Sequence, residues 1–303
     1  MKIVIAGGSG FLGRPLAAAL ADQGHDVVTL TRGGAARRGH TRSRTAVWTP
    51  NGETGPWAAE LDGAGAVVNL AGEPIAGKRW TAAQKQRILD SRVLATRSLV
   101  AAIRAAAAPP PVFVSGSAVG YYGPLGDEMA TEDTPAGFDF LARVCVQWET
   151  VALLAATDRT RVVCVRTGIV LEKDGGALPQ MLPPFRFGAG GPVGSGRQYW
   201  PWIHRADWLA LVQWAIQTPA AIGAINGTAP NPVRNAEFAR ALGRALRRPA
   251  MLPAPGFALR LLLGEMADAL LLSGQRAVPA RPERLGFAFR YPRVDDALAA
   301  IFN

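Results

Sequence analysis

The stretch MKIVIAGGSGFLGRPLAAAL (1–20) decides the fold. Its run KIVIA (2–6) is short, β-branched and apolar throughout, the texture of a strand buried on both faces. The run stops at Gly7, and Gly10 and Gly13 follow at three-residue intervals in a G-x-x-G-x-x-G pattern. An Ala/Leu helix then begins. The three glycines have separate tasks: one permits the tight turn, one lets backbone approach a pyrophosphate, and one lets helix pack on strand. The helix N-terminus adds N–H groups and positive potential. A glycine triplet alone is weak evidence; preceded by a strand and followed by a helix, it points to a bound dinucleotide.

Working outward, the same alternation continues. DVVTLT (26–31), AVVNLA (66–71), PVFVSG (111–116) and RVVCVRTG (161–168) read as further buried strands, with Ala/Leu/Arg-rich helical stretches between most of them. Near-continuous apolar strands alternating with helices predict an α/β fold, a Rossmann-type doubly wound parallel sheet covered on both faces. The texture changes after residue 170. DGGALPQMLPPFRFGAGGPVGSGRQYWPW (174–202) is dense in Gly and Pro and reads as loops and short elements. Helices are expected at 205–218, 235–247, 254–275 and 293–302. We therefore expect a nucleotide-binding domain over 1–172 and a smaller, mostly helical substrate lobe over 173–303. The boundary is soft, because later strands can join the first sheet.

Bulk properties exclude several function classes. The chain has 303 residues, 49% hydrophobic and 18% charged, which is globular. Its net charge of +10 comes almost wholly from arginine. The one dense cluster read as such, RGGAARRGHTRSR (32–44), is short and Gly-broken, which argues for a phosphate-bearing small ligand and against nucleic acid. Cys145 and Cys164 form no disulfide framework or zinc spacing, and three scattered histidines add nothing to a metal case. The longest apolar segment (256–272) is interrupted by Arg260, Glu265 and Asp268, so no membrane span is expected. The opening apolar run is too short for a signal peptide. The expectation is a cytoplasmic protein, monomer or homodimer, with a small-molecule substrate and no nucleic-acid or membrane partner.

The second strand ends TLTRGG. A NAD site wants an acid there for the ribose hydroxyls, but this chain has Thr31 and Arg32. A guanidinium pairs with a 2′-phosphate, so NADP(H) is expected over NAD(H). The segment VVNLAG (67–72) ends at the carboxyl edge of the sheet, where small residues let a cofactor lie against backbone.

Here the chain resembles the extended short-chain dehydrogenases/reductases. The likeness runs through GGSGFLG, NLAG, SGSAVGYYG (115–123), TEDTP (131–135) and RTGIVL (166–171). It narrows, through GGPVGSGRQYWPWIHRADW (190–208), NGTAPNPVRNAEFARALG (226–243), RPAMLPAP (248–255) and GFAFRYP (286–292), to an atypical group. These are the nucleoside-diphosphate-sugar epimerase-like proteins, some of which carry the label of cell-division inhibitor. The resemblance spans essentially the whole chain. It implies cofactor contacts at Gly7, Gly10, Phe11, Leu12 and Gly13, at Thr31 and Arg32, at Leu70 and Ala71, and at Val170 on the nicotinamide side. In SRVLATRSL (91–99), Arg92 stands where the superfamily has an Asn near the cofactor, within reach of a phosphate or else on the helix surface.

The superfamily's chemistry is a proton relay beside a hydride transfer, using a Tyr, a Lys four residues on, and a Ser. Ser117 matches the Ser, with Ser115 as the alternate. The Tyr/Lys pair is absent: the four tyrosines, Tyr121, Tyr122, Tyr199 and Tyr291, are followed four places on by Leu125, Gly126, Ile203 and Asp295. The helix FLARVCVQWET (140–150) offers Cys145 and Glu149 at the expected places, beside an apolar stripe through Phe140, Leu141, Val144 and Trp148. Cys145 reads as a core filler. Glu149 is either a general acid/base with a raised pKa or a charge partner for a nearby Arg. Tyr121 and Tyr122 are further candidates to bind substrate or donate a proton. On the substrate side, Gln198, Trp200, Trp202, His204 and Asp207 fall in one segment that suits a ring-bearing ligand, although lobe packing and loop fixing explain most of them. Arg79 is available to an anionic substrate. The leading reading is an NADP(H)-dependent oxidoreductase or epimerase on a small polar substrate, with nucleotide-sugars among the candidates. The alternative is an NADP(H)-binding sensor or interaction protein that has lost catalysis.

Overall fold

The computed structural model describes residues 1–33 and 42–302. Seven strands form one sheet: β1 Lys2–Ala6, β2 Asp26–Thr31, β3 Ser43–Val47, β4 Ala66–Asn69, β5 Val112–Ala118, β6 Arg161–Thr167 and β7 Gly223–Gly227. Their spatial order is β7-β6-β5-β4-β1-β2-β3, and every neighbouring pair is parallel. This is the doubly wound arrangement expected from the alternation, with the order reversing between β1 and β4.

Both faces of the sheet are covered, as the unbroken apolar strands require. Ile3 and Ile5 of β1 face one core, packed with Leu16 and Leu20 of helix α1 (Gly13–Asp22). Val4 and Ala6 face the opposite core, with Leu99 and Ile103 of α2 (Ala82–Ala105) and Ala152 of α3 (Phe140–Leu153). α2 opens on Thr81, whose hydroxyl accepts from the Gln84 N–H, and α3 opens on Asp139, whose carboxylate accepts from Ala142 N–H. Both are side-chain N-caps.

Two strands escape the sequence pattern. β3 lies at the sheet edge in the polar SRTAV, two of whose five residues are exposed and none buried. Residues 34–41, most of the arginine-rich stretch before it, lie outside the described residues. β7 returns from residue 223 to pair with β6, so the chain beyond 173 supplies the seventh strand as well as the helix α5 (Arg205–Gln217) that packs beneath it.

A third core gathers α4 (Leu178–Arg186), α6 (Asn235–Leu246) and the closing helix around Leu182, Trp200, Trp202, Phe238 and Leu298. The single helix expected over 254–275 is broken at Gly264, whose φ of +64° a helix interior forbids. Its first piece, α7, spans Gly256–Leu263, and the closing helix α8 spans Val294–Phe302. Among the described residues, no helix is long and apolar enough to cross a membrane, and no group of three His, Cys, Asp or Glu side chains is placed to hold a metal.

Candidate functional site

The carboxyl ends of β1, β4, β5 and β6 converge where the strand order reverses. Gly7 leaves β1 with φ +80°, and a Cβ there would stand 2.6 Å from the carbonyl carbon of Leu70 at the end of β4. A Cβ on Gly13 would stand 2.3 Å from the Gly7 oxygen. The Gly10 N–H donates to that oxygen at 3.0 Å, folding the loop back on itself. α1 opens on Leu12, which has no side chain to cap the first N–H groups. The glycine spacing has thus produced a backbone cradle that side chains would close, at a helix N-terminus with amide donors to offer an anion.

The walls of this cradle are fixed. Asn69 at the end of β4 donates its side-chain amide to Thr96 Oγ1 at 2.9 Å and accepts from the Ala71 N–H at 3.1 Å, which sets the backbone of Leu70 and Ala71. Phe11 packs its ring against Gly175 and Gly176, where any side chain would collide with it, and Val170, 7% exposed, lies under that turn. The Arg205 guanidinium stands 5.6 Å from the Phe11 ring and is paired with Glu172 and Asp174. At the end of β2, Thr31 is half-buried and donates to the Gly33 carbonyl, and Arg32 is exposed. Arg92 is half-buried, not on the surface. Its Nη1 donates to the carbonyls of Glu73 and Ile88, and the guanidinium lies 5.3 Å from the Trp148 ring.

Beside the cradle, β5, β6 and α3 bring together a buried polar network. Ser117, at the end of β5, donates its hydroxyl to Glu149 Oε1 at 2.6 Å. Arg166 of β6 grips the same carboxylate in a fork, Nε to Oε1 and Nη2 to Oε2, both at 2.9 Å. Arg166 Nη1 donates to the Tyr122 hydroxyl and to the Glu132 carbonyl, each at 3.1 Å. The Tyr122 hydroxyl donates to Asn226 of β7 at 2.6 Å. Glu149 is 7% and Arg166 4% exposed, so this is a fully interior ion pair. Burial opposes the charge on Arg166, but the hydrogen bonds and charge of Glu149 outweigh it and hold the guanidinium protonated above its ordinary range.

The candidates separate accordingly. Ser117 and Glu149 are brought into contact, while Ser115 is buried with its hydroxyl on the Gly116 carbonyl. Tyr122 is 1% exposed, and burial pushes its phenol up to about 12. Tyr121 is half-buried, with its ring face 3.4 Å from the Arg166 guanidinium. Cys145 occupies the place of the superfamily Tyr. Its thiol is buried against the Ala118 carbonyl, and burial, then the Glu149 charge, push it up to about 12. It stays a neutral thiol near neutral pH.

His204 and Asp207 do fix a loop: His204 Nδ1 caps α5 through Ala206 N–H, and Asp207 accepts from the Arg290 and Tyr291 N–H groups. Trp200 and Trp202 are core residues, and Gln198 donates to the carbonyls of Val193 and Leu271. Arg79 lies against Gly264 at the start of the broken helix's second piece. Sequence reasoning missed Arg166, Glu132 and Asn226. Arg166 did carry a signal: one charged residue inside an otherwise apolar buried strand requires a buried partner.

Comparison with known proteins agrees with this geometry. Residues 3–226 match the model of the NAD dependent epimerase/dehydratase family, and residues 254–301 match a domain of unknown function, DUF1731. The Epimerase family protein SDR39U1 homolog, chloroplastic, of Arabidopsis thaliana is 44% identical over 305 residues, covering 100% of this chain and 87% of that protein. The crystal structure of the human epimerase family protein SDR39U1 (isoform2) with NADPH superposes with a TM-score of 0.91 at 36% identity, covering 99% of both chains. The nucleoside-diphosphate sugar epimerase from Corynebacterium glutamicum gives a TM-score of 0.81 at 33% identity, covering 100% of this chain and 58% of that one.

Proposed function

This chain belongs to the NAD-dependent epimerase/dehydratase family, and from that premise we propose that it is an NADP(H)-dependent oxidoreductase or epimerase acting on a small polar substrate, with nucleotide-sugars among the candidates. The observation that carries this is the glycine cradle at the sheet's reversal point, where a side chain on Gly7 or Gly13 would collide with backbone. The crystal structure of the human relative with NADPH supports the choice of dinucleotide. Gly7, Gly10, Phe11, Leu12 and Gly13 hold the pyrophosphate, Thr31 and Arg32 the 2′-phosphate, and Leu70, Ala71 and Val170 line the path to the nicotinamide. Arg92, with Nη1 tied to two carbonyls, braces the wall below Gly72 and supplies long-range positive charge. When bound, the cofactor supplies hydride transfer.

This chain's own residues set what accompanies that transfer. Ser117 Oγ, its own proton donated to Glu149, accepts from a substrate hydroxyl. Glu149 works as the charge partner of Arg166, because both of its oxygens are engaged by the guanidinium. Tyr121, whose ring face lies on the Arg166 guanidinium, is the phenol that moves a proton, because the Tyr122 hydroxyl is engaged by Asn226 and Arg166. A second reading has its own support: Cys145 and Glu149 fill the Tyr/Lys places with a neutral thiol and a locked carboxylate, as in a binding protein that has lost catalysis.

The test loads the protein with NADPH and offers carbonyl compounds and nucleotide-sugars, following cofactor oxidation and epimer formation. Turnover that falls in Ser117→Ala and Tyr121→Phe supports the enzyme reading. Tight NADPH binding with silence across the panel selects the binding-protein reading. Turnover unchanged in both variants rejects the site assignment.

A further inference from the structure

The charge of this chain has a second concentration, unconnected with the dinucleotide cradle. Between Asn235 and Leu263 there are five arginines and one acid, Glu237. Arg240, Arg244, Arg247 and Arg248 line one shallow cavity of about 430 Å³, and Met251 forms part of the same wall. Arg244 pairs with Asp295. Among the described residues, Arg240, Arg247 and Arg248 have no carboxylate partner. The backbone is bent to make this array. Arg247 has φ +53°, the one non-glycine residue among those described in the left-handed region, and its N–H and that of Arg248 close the end of α6 onto Arg244 and Gly243. Glycine would hold that turn without strain, yet the position carries a charge.

The same end of the chain exposes large apolar side chains. Met251 is 80% exposed, and Leu252 beside it is exposed too. The Leu252 N–H donates to the Gly190 carbonyl, which brings in the turn after α4 and Phe187, 87% exposed. Four residues after Leu252 begins α7, GFALRLLL, in which no residue is buried and Phe257, Leu261 and Leu262 are open to solvent. Met251 thus sets an exposed apolar side chain in the wall of the arginine cavity, and α7, which follows within five residues, turns Phe257, Leu261 and Leu262 to solvent; such a run needs an occupant that is both apolar and anionic.

We propose that this face is a docking surface for an anionic phospholipid bilayer, with the arginines on headgroup phosphates and Met251, Leu252 and α7 seated at the acyl boundary. This is a contact with the membrane surface, requiring no spanning helix. A second copy of the chain fits worse, because a two-fold contact sets the unpaired arginines of one copy against those of the other. Nucleic acid uses the arginines and leaves the apolar side chains without a role. The attraction of cations to the carboxyl end of α6 accounts for arginines there, though not for the exposed apolar residues beside them.

The experiment is co-flotation of the full-length protein with vesicles of phosphatidylglycerol in phosphatidylcholine, and with phosphatidylcholine alone. Binding is expected only to the first and should weaken with salt. Arg240→Glu with Arg248→Glu lowers partitioning at least about 25-fold, from about fivefold per surface arginine. Leu261→Ser with Leu262→Ser lowers it at least about tenfold at constant charge. All four side chains are exposed or line the open cavity, and NADPH binding checks that the variants fold. No flotation overturns the proposal, as does flotation unaltered in either double variant. A dimer in sedimentation that Leu261→Ser with Leu262→Ser dissociates assigns the face to a second copy. Binding to a DNA duplex without flotation assigns the arginines to nucleic acid.

Discussion

Replacing Glu149 by Gln keeps the size and shape of the side chain and removes its charge. Arg166, 4% exposed, then stays protonated, as arginine does in proteins, without the counter-ion that Glu149 supplied. In the native protein the two charge-assisted bonds at 2.9 Å offset the desolvation of that cation. Removing one partner of a fully buried pair costs about 3–5 kcal/mol, against roughly 0–1 kcal/mol for a pair at the surface. At about 1.6 °C per kcal/mol for 303 residues, from about 2.1 cal/mol/K of unfolding entropy per residue, the melting temperature of Glu149→Gln should fall by about 5–8 °C. Thermal and urea denaturation of the full-length protein measure it, with Arg166→Met and the double variant completing a cycle. The double variant should recover more than half of the loss, because Met leaves no stranded charge, and the coupling isolates the pair from the bond to Ser117. A loss in Glu149→Gln below about 1 kcal/mol, or a double variant no more stable than Glu149→Gln, refutes the assignment of Glu149 as a buried charge partner.

Gly7→Ala places a Cβ 2.6 Å from Leu70 backbone at φ +80°, so it should lose stability by about 1–2 kcal/mol or more and weaken NADPH at least about tenfold. Calorimetric titration with wild-type affinity removes Gly7 from the cradle. Arg32→Ala should weaken NADPH by about 10–100-fold and leave NADH unchanged, since only the 2′-phosphate bonds are lost; parallel losses for both cofactors refute it. Tyr122 and Cys145 give a pH test. Burial raises both folded pKa values to about 12, from 10.0 and 9.0. The folded state therefore holds protons that the unfolded state releases. The stability this provides is complete below pH 9 and is lost as the pH rises toward 12, at up to about 1.4 kcal/mol per unit for each group. Cys145→Ala should flatten that decline, and neither cysteine should react with a thiol reagent at neutral pH unless the protein is unfolded. A flat stability profile across the window, or fast labelling of the native protein, counts against buried neutral groups.

Local physics governs the parts of the structure that the sequence reveals. KIVIA followed by spaced glycines specifies strand, turn and helix within twenty residues, and four further apolar runs locate their strands because each is buried on both faces. β3 was illegible for the converse reason: an edge strand half open to water carries no apolar signature, and SRTAV looks like a loop. β7 was hidden in GAING, where small residues let the sheet close beneath α5 and β-propensity is weak. At the site, Ser117 was legible from motif and Glu149 from helical spacing. Their contact was not, because a bond between residues 32 positions apart depends on where β5 and α3 lie. Arg166 was visible as an anomaly in an apolar strand, but its partner lay on another element.

The pair Glu149 and Arg166 gives position 149 a structural task of its own. A lysine at 149 would lie against the guanidinium of Arg166 with no carboxylate between them, two buried cations within hydrogen-bond distance. It would also leave Arg166 without the carboxylate that now holds it in a fork. Without that Lys, a Tyr at 145 would have no neighbouring ammonium to lower its pKa, and the place is filled instead by a small thiol that packs under Ala118. The acid at 149 thus pairs with a charged residue on β6, and the thiol at 145 packs beside that pair. The polarity of the site has moved with them. The fixed positive charge now stands behind Ser117, on the β6 side and under the Tyr121 ring, instead of on α3. A guanidinium keeps its protons, so no proton passes from Glu149 to Tyr121 through Arg166, and under the proposed function a substrate hydroxyl at Ser117 donates to an oxygen whose own proton is already directed to Glu149.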